Sequence, residues 1–82
     1  MNIKGFDIKL AHEEACLKVM GRAFKLEDVI GAAMDAGVPR VFPQPGSDRP
    51  VDIASLFAQR MVNREVEAGR YVQDGNIWSR CE

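Results

Sequence analysis

The chain has 82 residues, 46% of them hydrophobic and 28% charged, with eleven basic against twelve acidic side chains. That length supports one domain with one modest core and excludes two, and the composition is that of neither a disordered nor a membrane chain, since no apolar run approaches the roughly 20 residues of a bilayer span. A formal charge of -1 is a poor start for a nucleic-acid binder, whose general affinity comes from neutralising phosphates, but the local distribution of charge matters more than the sum.

Met1-Asn2-Ile3-Lys4-Gly5 lacks the apolar segment of a secretory signal, so a cytoplasmic location is the expectation. From Ile3 to Leu10, Phe6, Ile8 and Leu10 alternate with Asp7 and Lys9, the period of a short strand or extended arm. A helix starting near Asp7 is the competing reading, and residues 1–10 are set apart as an N-terminal arm. Ala11 to about Gly21 turns helical, with Ala11, Ala15, Cys16, Val19 and Met20 on one side; Leu17 falls on the back, where the arm is one candidate to cover it. Cys16 reads as a small core residue and Cys81 as a loose thiol. With His12 the sole histidine and no Cys-x-x-Cys, neither a metal nor another cofactor is expected.

Arg22 to Lys25 forms a linker able to pair as a short strand around Phe24. A second helix runs from about Leu26 to Ala36, with Leu26, Val29, Ile30, Ala33 and Met34 on one stripe and Glu27, Asp28, Gly31 and Asp35 opposite. Residues 38–50 contain all four prolines and read as a surface loop, with Val41 and Phe42 exposed. The third helix, from Val51-Asp52 to about Ala68, sets Ile53, Ala54, Phe57, Ala58, Met61 and Ala68 on one side. Asp52, Ser55, Gln59, Arg60, Asn63 and Glu67 lie around the other. Gly69 ends it. A hairpin follows with Asp74-Gly75 as a type I′ turn, which places Tyr71 opposite Trp78 and Val72 opposite Ile77.

Helix, short strand, helix, loop, helix and hairpin make an α+β order that resembles a winged helix-turn-helix domain across residues 11–80. The matching segments are "FKLEDVIGAAMDAG", "VDIASLFAQRMVNREVEAG" and "RYVQDGNIW". The resemblance implies that the third helix enters the major groove of double-stranded DNA and that the hairpin is a wing touching backbone or minor groove. The proline-rich connection is longer than the family norm, although some winged-helix modules of chromatin and restriction proteins carry a long one there.

Ser55, Gln59, Arg60 and Asn63 have the chemistry for base edges, arginine pairing with guanine and asparagine or glutamine with adenine. The plain alternative is a solvated helix face. Arg40, Arg49, Arg64, Arg70 and Arg80 are candidate phosphate clamps or ordinary surface charge; arginine supplies every basic residue beyond Lys25. Tyr71 and Trp78 either stack on a base or close the core beneath the wing. No carboxylate pair, activated nucleophile or phosphate loop marks an enzyme. The function expected is therefore a DNA-binding module of regulatory type. The rival is a winged helix that binds a protein or itself, through the acidic Glu27, Asp28 and Asp35, the 38–50 loop, or Leu10 and Leu17.

Overall fold

A computed structural model describes residues 1–81. It is a small α+β structure of three helices and two small antiparallel sheets, among the described residues. The chain opens with β1 (Asn2–Ile3) and β2 (Phe6–Asp7), then α1 (Leu10–Val19), β3 (Ala23–Lys25) and α2 (Leu26–Asp35). After the long connection come α3 (Ile53–Glu67), β4 (Tyr71–Asp74) and β5 (Ile77–Arg80). No helix among the described residues is long and apolar enough to cross a membrane.

The alternation from Ile3 to Leu10 is not one strand. It folds back at Lys4 and Gly5, both at positive φ (51° and 92°), so that Ile3 pairs with Phe6. Two successive left-handed residues match the right-handed twist of a tight hairpin, and Gly5 takes that conformation without cost. The reversal buries Ile3 and Ile8 together. The helix reading from Asp7 fails by three residues, because Lys9 is extended and its N–H donates to His12 Nδ1 at 3.0 Å, a cap that starts α1 at Leu10.

The core centres on α3, whose Ile53, Ala54, Phe57, Ala58, Met61 and Val62 have no exposed surface. These residues span roughly half the helical wheel, wider than an ordinary surface stripe, because α3 is covered from several sides. Val29 and Ala33 of α2 complete the centre, with Leu26 and Ile30 half-buried at its margin. Ala68, expected inside, is exposed, and so is Met34. Glu65 takes the inward position instead, since it lies one helical turn beyond Met61.

Helix α1 differs most from expectation. Val19 is 39% exposed, Leu17 is 41% exposed and uncovered, and Ala15 is only half-buried. The helix is anchored through Cys16, whose thiol lies 3.8 Å from the Val29 carbonyl, and through Met20 just past its end. The arm expected over Leu17 packs elsewhere: Phe6 meets Phe42 edge-on, with ring centroids 5.6 Å apart. Burial pushes the Cys16 thiol up to about 11, with Glu13 adding to the effect, so it stays protonated at neutral pH. Cys81 is exposed, and both cysteines are free.

That same contact overturns the exposed reading of Phe42. Phe42 is half-buried and exchanges backbone hydrogen bonds with Val51, which closes the proline-rich connection on itself. Gln44 Nε2 donates to the Lys4 carbonyl at 2.9 Å, tying the connection to the first turn. Val41 remains 69% exposed.

The C-terminal hairpin forms, and Phe24 lies on a strand beside it, giving the sheet order β3-β5-β4. Its turn is one residue further on than expected. Asp74 pairs with Ile77 across Gly75-Asn76, so Tyr71 opposes Arg80 and Gln73 opposes Trp78. A type I′ turn at Asp74-Gly75 needs positive φ at both residues, whereas only Gly75 has it (63°). Glycine at the first central position, followed by a residue of ordinary φ, is the sign pattern of a type II′ turn. Tyr71 and Trp78 still share the inner face, with Phe24 between them at centroid distances of 5.1 and 5.9 Å.

Candidate nucleic-acid interface

The outward arc of α3 carries Ser55, Gln59 and Asn63 at four-residue spacing, with Leu56, Arg60 and Glu67 alongside. Gln59, Arg60 and Asn63 are exposed and Ser55 is half-buried. Gln59 Nε2 donates to Asn63 Oδ1 at 2.8 Å, which joins the two amides and leaves Gln59 Oε1 as an acceptor and Asn63 Nδ2 as a donor outside that bond. An amide acceptor and an amide donor are the groups that an adenine edge takes. The Arg60 guanidinium forms no ion pair among the described residues.

Ser55 has local work. Asp52 caps α3: its carboxylate accepts the Ser55 N–H at 3.0 Å and the Ser55 hydroxyl at 2.7 Å. Arg40 Nε reaches the same carboxylate at 3.1 Å from across the connection. Burial by itself would raise the Asp52 carboxyl, but the Ser55 backbone N–H, the Ser55 hydroxyl and Arg40 outweigh it and hold the carboxyl below its usual range. A helix N-terminus that already holds a carboxylate is a poor phosphate seat.

The structure divides the remaining arginines. Arg64 pairs with Glu13 of α1 at 2.7 Å, and Arg70 with Glu65. Arg40, Arg64 and Arg70 are thus each matched to a carboxylate of the same chain. Arg49 donates only its backbone N–H, to Ser47 Oγ at 3.2 Å, and its guanidinium has no ion pair among the described residues. Asp52 joins Ser55 to Arg40, whereas Arg64 is held by Glu13 of α1 and Arg70 by Glu65.

Tyr71 and Trp78 are 6% and 7% exposed, so neither ring is open to stack on a base. The Tyr71 hydroxyl lies 2.8 and 2.7 Å from the Met20 and Gly21 carbonyls, pinning the hairpin to the end of α1. The β4–β5 hairpin presents its Gly75-Asn76 tip and an outer face bearing Val72 and Ile77.

Two residues escaped the sequence reading. Glu65 is the one buried charged residue among those described, and the signal was its place one turn beyond Met61 and five residues before Arg70. Leu56 sits inside the polar arc at 40% exposure; spacing alone puts it between Asn63 and Arg60 on the helical wheel. An apolar side chain there suits a thymine methyl as readily as a protein surface.

No protein-family model, curated protein or solved structure matches the chain.

Proposed function

We propose that this chain is a DNA-binding winged-helix module of regulatory type, with α3 as the recognition helix and the β4–β5 hairpin as the wing. One observation carries this reading: the strand after α1 pairs with the last strand of the hairpin, giving the order β3-β5-β4, and α3 before that hairpin leaves Gln59, Arg60 and Asn63 uncovered. Packing of α3 in the core fixes the backbone positions from which these base-edge groups project.

Arg60 and Asn63 act as readers and Arg49 as a phosphate contact. Arg70 is not the phosphate probe its place in the wing suggests, because removing it strands the buried Glu65 carboxylate and disturbs the fold. The test is titration of labelled protein with a selected duplex and with random duplex. Arg60→Ala and Asn63→Ala are each expected to cost roughly 1–3 kcal/mol on the selected site and much less on random sequence. Arg49→Ala weakens both alike.

A second reading, a winged helix that binds protein, is favoured by the internal pairing of Arg40, Arg64 and Arg70 and by the acidic outer face of α2, with Glu27, Asp28 and Asp35 exposed. NMR shifts that gather on those acids, with none on α3 at low salt, decide for it against DNA.

A further inference from the structure

Strand β4 has an unused edge, and we propose that the β4 strand of a second copy of this chain closes it, forming an antiparallel β4–β4 dimer. β4 is last in the order β3-β5-β4, so one of its two sides is unpaired within the chain. Cys81 N–H donates to the Arg70 carbonyl at 2.8 Å, which sets the alternation of the β4–β5 ladder. Val72 and Asp74 spend their backbone groups on β5, and Arg70 its carbonyl, its N–H going to the Glu65 carbonyl at 3.0 Å, while Tyr71 and Gln73 turn theirs away. From the other side the alternation agrees: Arg80 N–H donates to the Arg22 carbonyl at 2.7 Å, so Arg80 and Trp78 face β3. An edge of this kind is commonly blunted by proline, lysine or a bulge, and Tyr71-Val72-Gln73 has none of them.

Charge selects the occupant. Arg70 and Asp74 lie equally far on either side of Val72, so the strand is complementary to itself when reversed. With Val72 on the two-fold axis, Arg70 of each copy faces Asp74 of the other, and Tyr71 faces Gln73 and exchanges both backbone bonds with it. That makes four interchain bonds, with the two Val72 side chains in the close, non-bonded position. A shift that puts Gln73 on the axis sets Arg70 against Asn76 and loses the charge match. Val72 is 55% exposed and Ile77 on the same outer face 39%, an apolar strip that the second copy would continue. Arg70 touches Glu65, yet its side chain is 55% exposed and open to a second carboxylate.

The dimer does not depend on DNA binding, and its test contains no DNA. Sedimentation of the full chain under reducing conditions, which keep Cys81 from cross-linking, is expected to show a concentration-dependent dimer. Gln73→Pro removes one outward N–H per copy without touching the β4–β5 ladder, and is expected to weaken the dimer at least roughly tenfold. Asp74→Arg sets arginine against arginine at both ends and is expected to act in the same direction by about the same factor. Circular dichroism and the thermal midpoint report whether each variant is folded; if Gln73→Pro is not, Asp74→Arg alone decides. A wild-type chain that stays monomeric to millimolar concentration overturns the proposal. So does a dimer equally strong in every folded variant, or one whose amide protection rises at Leu10 and Leu17 instead of at Tyr71 and Gln73.

Discussion

Asp52 joins three parts of the molecule through one carboxylate: the first turn of α3 through Ser55, the long connection through Arg40, and the start of the polar arc. Losing the cap by Asp52→Ala is expected to cost roughly 0.5–2 kcal/mol at neutral pH, while Asp52→Asn, which keeps an acceptor, costs less. The carboxyl is held lower in the folded chain than its ordinary 3.8, so its contribution is complete above that value and is lost as the pH falls through the folded value. Urea unfolding at neutral pH and near pH 3 checks both statements, because the gap between wild type and Asp52→Ala should narrow in acid. Glu65 shows the other use of a carboxylate. It is only 5% exposed and tolerable there because Arg70 reaches it from the surface, so an exposed arginine at the start of the hairpin already has a structural task.

Among the elements, α3 bears the most. Its inward half is buried and its outward half carries the proposed reading residues, so its rotation about its own axis decides both which side chains fill the core and which polar groups face outward. Phe57 is the largest side chain in that buried set, and Phe57→Ala is expected to cost about 3–5 kcal/mol by chemical or thermal unfolding. A loss below about 1 kcal/mol would mean that α3 is turned and that Gln59 and Asn63 do not face outward. The hairpin depends on a different kind of detail. Moving its turn by one residue keeps Tyr71 and Trp78 on the inner face but changes every cross-strand partner, and Gly75 settles the choice by taking positive φ at the first turn position. The N-terminal alternation reverses at Lys4-Gly5 on the same principle.

At the scale of the whole molecule, charge pairing limits what kind of nucleic-acid binding is available. The chain has a net charge of -1, and Arg40, Arg64 and Arg70 are already matched internally. Binding to duplex DNA should therefore release few counterions. The slope of log affinity against log salt is expected to correspond to about two or three phosphate contacts, measured by fluorescence anisotropy between roughly 50 and 200 mM salt. A slope of more than about five contacts would require those three ion pairs to open on binding. The elongated shape, 45 × 25 × 19 Å, leaves much of each helix at the surface, which is why Leu10, Leu17 and Val19 of α1 stay exposed despite their helical spacing.

The order of elements from α1 onward, the burial of Phe57, Ile53 and Met61, the presence of the C-terminal hairpin and the strand at Phe24 follow from the sequence alone, because each rests on a local signal, periodicity or a glycine after a helix; the β1–β2 reversal and the register of the C-terminal hairpin do not. The outward side of Gln59, Arg60 and Asn63 follows from the same periodicity. What only the tertiary structure decided depends on residues far apart in the chain. Arg64 is claimed by Glu13, fifty-one positions away, and Gln44 is tied to Lys4 across forty. Phe42 is covered because Phe6 folds back to meet it, and Val19 is left bare because nothing does the same for α1. Periodicity tells which side of an element is apolar, but whether that side is covered, and whether a charge is free, is set by the neighbours that the fold brings to it.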